Sequence, residues 1–269
     1  HFHNVLCLSK AKGMDIKMEI RDVIELVRQA KPLIQNRDMA DHIKVKGPSD
    51  YVTQVDMNVQ KLLSEKLYEL APEIQFLGEE EGLHAMSGDT FWILDPVDGT
   101  TNLIHDYQHS TVSLGLYEKG EIVMGVIYDP FREEVFYAEK GKGSWRNGER
   151  IHAAPAETLS ETIIAIGTAP YQKELAHENF QRFERVFLKC QDIRRTGTAA
   201  MDLAYTACGR IGGYFEERLQ PWDFAAGMLI LSEAGGKVTR FDGSPVNPLE
   251  PGGILASNGK LHGELLELL

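Results

Sequence analysis

Positive charge is scarce in this chain of 269 residues: 28 Lys and Arg stand against 40 Asp and Glu, giving a formal net charge of −12. A nucleic-acid-binding face needs a basic stripe, so direct nucleic-acid binding is not expected. Cysteine is equally scarce. Cys7, Cys190 and Cys208 lie far apart without metal-ligand spacing, and they read as reduced thiols in a cytosolic protein. No apolar run reaches the roughly 20 residues that a membrane span requires. Val5-Leu6-Cys7-Leu8 is too short for the core of a signal peptide. A cytoplasmic protein without a membrane partner is therefore the expectation. There is no internal repeat and no low-complexity tract. What remains is a globular composition, 43% hydrophobic and 25% charged, with length for one large domain or two of ordinary size.

Residues 1–17 show no clear periodicity and read as an N-terminal tail, with Met14 or Met18 a natural start. Ile20, Val23, Ile24, Val27 and Ala30 recur at helical spacing and predict a helix to about Lys31. A basic loop, 44–50, leads into a second helix through Val59, Leu62, Leu63, Leu67 and Leu70. Thr53 suits its N-cap, and Asp56 its first turn. Ile74 to Leu77 is a short apolar strand that delivers Glu79. Further on, three or four strands between Ser110 and Trp145 suggest an antiparallel meander, and Arg146-Asn147-Gly148-Glu149 is the strongest hairpin signal. After about Ala153, strands alternate with helices. The boundary is expected near residues 148–158, dividing an N-terminal α+β part, 18–150, from a C-terminal α/β part, 151–269.

The chain is organised around Trp92-Ile93-Leu94-Asp95-Pro96-Val97-Asp98-Gly99-Thr100-Thr101-Asn102. Phe91 to Leu94 reads as a buried strand, and Pro96 is expected to stop it, having no N–H for a ladder. Asp98-Gly99 then reads as a turn, and Thr100 opens a short helix or a further turn. Two carboxylates three residues apart raise each other's pKa unless a cation lies between them, and Mg²⁺ favours such oxygen ligands. Taken alone, the same residues are also ordinary turn punctuation.

The company of this run decides between the two. With Gly78-Glu79-Glu80-Glu81-Gly82 upstream and Pro221-Trp222-Asp223 downstream, it resembles the inositol monophosphatase family of Mg²⁺-dependent phosphatases over roughly residues 19–269. The resemblance implies an α/β (α+β mixed) fold, a five-layer α-β-α-β-α sandwich of the inositol monophosphatase and fructose-1,6-bisphosphatase type. It also implies two or three Mg²⁺ ions. Glu79, Asp95 and the Val97 carbonyl would hold one, and Asp95, Asp98 and Asp223 a second, with Glu80 pointing elsewhere. Glu79, Thr100 and Asp56 form the implied catalytic set, the Thr100–Asp56 pair orienting the attacking water. The N–H groups of Gly99 and Thr100 would meet the phosphate, and Lys46 matches the basic residue of a loop that closes over the site, though the loop is one residue shorter here. Glu216, Thr198, Ala199 and Thr168 match the polyol side. Arg194-Arg195 suits a substrate contact or an interface, whereas the histidines show no ligand spacing.

The expected activity is hydrolysis of inositol monophosphate, lithium-sensitive, by a homodimer acting on a small phosphorylated polyol. The same scaffold serves a 3′(2′),5′-bisphosphate nucleotidase or a fructose-1,6-bisphosphatase. Some bacterial members bind RNA polymerase, so a protein partner is a further expectation, in addition to catalysis or instead of it. A carboxylate at Glu216 would disfavour a second phosphate on the substrate.

Overall fold

The structure, a computed structural model, describes residues 6–7, 17–47, 50–79 and 88–269. Leu6–Cys7 (β1) pairs with Lys17–Met18 (β2). Ile20–Arg28 (α1), Lys31–Ile34 (α2) and Arg37–Ala40 (α3) follow. The single helix expected to Lys31 is thus broken, because Pro32 lacks an N–H for the carbonyl of Arg28 and its ring would clash there; it starts a new turn instead. Ile43–Gly47 (β3) and Asp50–Thr53 (β4) pair antiparallel, so the expected basic loop is largely a ribbon. In Gln54–Leu70 (α4), the Thr53 hydroxyl accepts from the Val55 N–H at 3.1 Å, and Asp56 completes the capping box.

Gln75–Gly78 (β5) and Thr90–Asp98 (β6) are parallel neighbours. After Thr100–Ile104 (α5) come Thr111–Glu118 (β7), Glu121–Asp129 (β8), Glu134–Glu139 (β9), Ser144–Arg146 (β10) and Glu149–Ile151 (β11). These last five form the antiparallel meander, longer than expected, and the sheet runs β11-β10-β9-β8-β7-β6-β5. Asn147 and Gly148, at φ 48° and 86°, make the tight turn between β10 and β11. A five-stranded sheet then collects Ile163–Ile166 (β12), Asp192–Arg194 (β13), Gly213–Leu219 (β14), Lys237–Thr239 (β15) and Gly252–Ser257 (β16) in the order β13-β12-β14-β16-β15. Its helices are Ala176–Phe187 (α6), Ala199–Ala207 (α7), Pro221–Glu233 (α8) and His262–Leu268 (α9).

Three apolar cores order these into layers. Val23, Val27, Val59 and Leu63 of α1 and α4 pack on Trp92, Leu94, Leu114 and Val126, one face of the large sheet. The other face, through Ile93 and Ile127, meets Leu203 and Ala204 of α7 and Ala225 and Ala226 of α8, which also cover Tyr214, Ile254 and Ala256 of the smaller sheet. Phe183 and Val186 of α6 and Leu265 of α9 close the far side against Ile164, Phe215 and Leu255. The result is the α-β-α-β-α sandwich. The middle layer is thin because its residues are small. A Cβ on Gly125 would come within 2.7 Å of the Ala226 carbonyl, and one on Gly227 within 2.6 Å of Leu203. This close approach brings the start of α8 down onto the end of β6.

Candidate active site

Pro96 does not end its strand. β6 continues to Asp98, but its pairing with β7 steps from Asp95↔Ser113 to Asp98↔Thr111. Two residues on β6 therefore lie opposite one on β7, a β-bulge, where a proline without a ladder bond is tolerated. The bulge has a geometric consequence. In a regular strand residues three apart face opposite sides; one extra residue turns Asp95 and Asp98 to the same side. Sequence reasoning read Asp98 as a turn residue, and the structure corrects this: the turn begins at Gly99, whose φ of 91° suits glycine.

Three aspartates come from two elements, Asp95 and Asp98 from β6 and Asp223 from α8, and each is tethered by a backbone N–H. The Val97 N–H donates to Asp95 Oδ1 at 3.0 Å. The Ala200 N–H, at the start of α7, donates to Asp98 Oδ2 at 2.7 Å. The Gln220 N–H donates to Asp223 Oδ2 at 2.7 Å in the first turn of α8. The start of α8 is itself fixed to the large sheet by Ser113 Oγ, which donates to the Trp222 carbonyl at 3.2 Å. Asn102 Nδ2 donates to the Thr196 carbonyl at 2.9 Å and ties α5 to the segment before α7. Glu79 follows β5 directly, its N–H on the Leu94 carbonyl at 3.2 Å.

The electrostatics follow from this convergence. Burial first, then Glu79, Asp98 and Asp223, hold the Asp95 carboxyl well above the usual range. Burial pushes Asp98 up to about 7, with Glu216 and Glu79 adding to it and the Ala200 N–H opposing. Asp223 is raised by burial and then by Asp98. Among the described residues no three such side chains stand close enough together to hold a metal ion as they are placed. The match to a divalent cation rests on donor chemistry. The cluster is all-oxygen and repelling, with Asp95 and Asp98 buried and Asp223 half-buried, and Asp95 and Asp223 each have a second oxygen with no hydrogen bond to the described residues. Such a set suits a hard ion such as Mg²⁺.

Beside it, Thr100 Oγ1 donates to Asp56 Oδ1 at 2.7 Å and lies 3.2 Å from the Val97 carbonyl. Asp56 Oδ2 accepts from the Thr53 N–H at 2.8 Å. The helix-cap and paired-residue roles of Asp56 thus coexist, one on each oxygen.

Asp98, Gly99, Thr100, Thr198, Ala199, Glu216 and Asp223 line one cavity of about 330 Å³. Asp56, Glu79, Asp95 and Val97 lie outside that lining, as does Thr168, whose Oγ1 accepts from Arg195 at 3.3 Å. The buried Thr198 hydroxyl has no hydrogen-bond partner among the described residues. Lys46 belongs to β3, its side chain outside the described residues, as is the whole of Glu80. A larger cavity of about 680 Å³ shares only Arg195 and Asp202 with this one and holds none of the clustered carboxylates, so the chemistry belongs to the smaller.

Sequence reasoning missed several residues here. His105, Tyr171, Lys173 and Arg218 line the cavity. Asp202, buried in α7, accepts from Thr196 Oγ1 at 2.8 Å, while its Oδ1 has no partner among the described residues. Tyr214 donates to Glu216 Oε2 at 2.7 Å. The signal for Tyr214 was available, since alternation puts residues two apart on one face of a strand. Arg218 lies in β14 two residues after Glu216 and carried the same spacing, whereas His105, Tyr171 and Lys173 come from segments between the main elements whose spacing carries no such signal.

The sequence matches a model of the inositol monophosphatase family over residues 11–269. An inositol-1-monophosphatase of Caulobacter vibrioides is 40% identical over 231 residues, 84% of this chain and 90% of the relative. The Nus factor SuhB of Escherichia coli is 39% identical over 242 residues, 88% of this chain and 90% of the relative. The crystal structure of the extragenic suppressor protein suhB from Bartonella henselae superposes with a TM-score of 0.85 at 32% identity, covering 93% of this chain and 97% of that one.

Proposed function

The chain belongs to the inositol monophosphatase family, and from that premise we propose that it is a Mg²⁺-dependent phosphomonoesterase that hydrolyses inositol monophosphate to inositol and phosphate. The observation that carries this reading is the convergence of Asp95, Asp98 and Asp223, carboxylates from two buried strand positions and a helix start, with Asp98 raising both Asp95 and Asp223. Glu79, Asp95 and the Val97 carbonyl would hold one Mg²⁺, and Asp95, Asp98 and Asp223 another. Bound there, the ions supply the positive charge that offsets the phosphate and makes a water acidic enough to attack.

The protein's own groups do the rest. Thr100 donates its hydroxyl hydrogen bond to Asp56, which leaves its oxygen lone pairs to accept a hydrogen bond from the attacking water and aim it. Gly99 and Thr100 present backbone N–H groups to the phosphate. Thr198, Ala199 and Glu216 line the wall on the polyol side, where a carboxylate accepts hydroxyl hydrogens. Thr168 and Lys46 are assigned here as a second-row polar group and a closing cation.

The catalytic unit is proposed to be a cytoplasmic homodimer, its chain divided near residue 150 into a part with most metal ligands and a part bearing Asp223. The test is phosphate release from inositol 1-phosphate with Mg²⁺ and with EDTA. Activity is expected only with the metal, and activity undiminished by EDTA overturns the reading. The name of the Escherichia coli relative, a Nus factor, favours a second role in binding a transcription protein, alongside catalysis. Co-purification of RNA polymerase with tagged wild type and with an Asp95→Asn variant separates the two roles.

A further inference from the structure

We propose that Tyr214 is a positioning residue for substrate specificity. Its hydroxyl and the Ala169 N–H fix the Glu216 carboxylate in the orientation that receives adjacent hydroxyls of a cyclic polyol phosphate. The proposal rests on the reading of this site as a polyol phosphatase. Glu216 lies in β14, two residues after Tyr214, so both side chains leave the same face of the strand. Tyr214 is fully buried in the core between the sheets. Among the described residues its hydroxyl makes one hydrogen bond, to Glu216 Oε2 at 2.7 Å. A phenol whose O–H reaches a carboxylate from the core side acts as a fixed donor, because its ring cannot swing away.

The other oxygen is held from a different element. The Ala169 N–H donates to Glu216 Oε1 at 2.9 Å. Ala169 has a φ of 45°, uncommon outside glycine, in the turn that follows β12. Between the two tethers lies Gly167. A Cβ there would stand 2.0 Å from Glu216 Oε2 and 2.1 Å from Cδ, and the three nearest atoms to it all belong to the Glu216 side chain. The carboxylate therefore lies flat across a glycine with one donor on each oxygen. Each oxygen keeps a further lone pair, and Glu216 lines the cavity. Two tethered acceptors on one rigid plane suit two neighbouring hydroxyl groups. They offer nothing to a leaving group without hydroxyls.

The experiment compares inositol 1-phosphate with p-nitrophenyl phosphate, which has no hydroxyl on its leaving group, in wild type, Y214F, G167A and E216Q. KM and kcat are measured separately with saturating Mg²⁺, and thermal melting reports folding. Y214F removes one tether. G167A keeps both tethers but drives the carboxylate off its plane, so it carries the test should Y214F fold poorly. The ratio of kcat/KM for inositol 1-phosphate over p-nitrophenyl phosphate is expected to fall about tenfold in Y214F and in G167A, as for loss of one charge-assisted hydrogen bond. The fall should appear mainly in KM for inositol 1-phosphate. If E216Q lowers the ratio and a folded Y214F leaves it unchanged, or lowers both substrates equally, Tyr214 does not position the carboxylate; if G167A does so, the orientation of the carboxylate does not set specificity. If E216Q itself leaves the ratio unchanged, the polyol reading of the site falls instead, and the proposal with it.

Discussion

Replacing Asp98 by Asn should stabilise the metal-free protein at alkaline pH while removing its function. Asp98 is buried, and its carboxyl is pushed from 3.8 to about 7. A carboxyl whose folded pKa is raised resists ionisation in the fold. Its cost is absent below the unfolded pKa, grows through the interval between the two values, and is complete above the folded one. A shift of this size corresponds to about 4 kcal/mol at pH 8, and to less than about 2 kcal/mol at pH 5. Asn removes the charge, and its carbonyl oxygen can still accept from the Ala200 N–H now bonded at 2.7 Å. An amide N–H left unpaired in the site would take back about 1–3 kcal/mol. The net expectation is a gain of about 1–3 kcal/mol at pH 8 and no gain, or a small loss, at pH 5.

Urea unfolding of wild type and D98N in EDTA, at both pH values, reads this directly. A parallel series in Mg²⁺ adds the linkage. Wild type should gain about 2.7 kcal/mol when the ion stands at a hundred times its dissociation constant, and the variant should lose most of that gain. The reasoning is refuted if D98N is less stable than wild type in EDTA at pH 8, or if the difference between them does not change with pH.

Three further outcomes follow from the same geometry. Asp95→Asn should abolish Mg²⁺-dependent phosphate release, since Asp95 stands electrostatically between Glu79, Asp98 and Asp223; full activity in a phosphate-release assay would remove the proposed metal site. Thr100→Ala or Asp56→Asn, which break the 2.7 Å bond between them, should lower kcat about 10²–10⁴-fold with little change in KM. His262 is buried with Thr239 on Nε2 at 2.8 Å and Ser257 on Nδ1 at 2.9 Å, and burial, then Lys237, lowers it to about 4. A histidine lowered in the fold leaves stability intact above pH 6.5 and erodes it as pH falls towards 4, by up to about 3 kcal/mol. The difference in urea midpoint between wild type and His262→Asn should therefore shrink from pH 7 to pH 4.5.

Much of this was legible in the sequence wherever a local rule and the fold agree. The amphipathic spacing of α4, the Asn147-Gly148 hairpin and the alternation of strands and helices after residue 153 each have one dominant local cause. The end of β6 did not. Pro96 and Gly99 are both stop signals, and only the pairing with β7 decides that the chain bulges at the first and turns at the second. The Glu216 clamp was hidden for a related reason. Its partners Gly167 and Ala169 are about fifty residues away in sequence, and they meet it because β12 and β14 run side by side. The family motifs marked Glu216 as a polyol contact, but nothing in them shows that Tyr214 and the Ala169 N–H hold it.

The acidic cluster also raises the question of how a fold tolerates it. Part of the answer lies in the helix starts. Asp56 and Asp223 occupy the first turns of α4 and α8, and Asp98 accepts from the first turn of α7. The positive end of each helix favours a carboxylate by about 0.3–1 kcal/mol. Three such ends together supply at most about 3 kcal/mol. The upward shift of Asp98 alone corresponds to about 4 kcal/mol, and Asp95 and Asp223 are raised as well. Helix ends therefore reduce the repulsion without cancelling it. Backbone donors cannot complete the task either, since each aspartate has only one or two. What the arrangement leaves is an excess of buried negative charge at the edge of a cavity, held by the rigid packing of α7 and α8 between two sheets. On the proposed reading that excess would favour a divalent cation over a proton at neutral pH, and a cation bound there would in turn favour the phosphate dianion that the chain's net charge of −12 would otherwise repel.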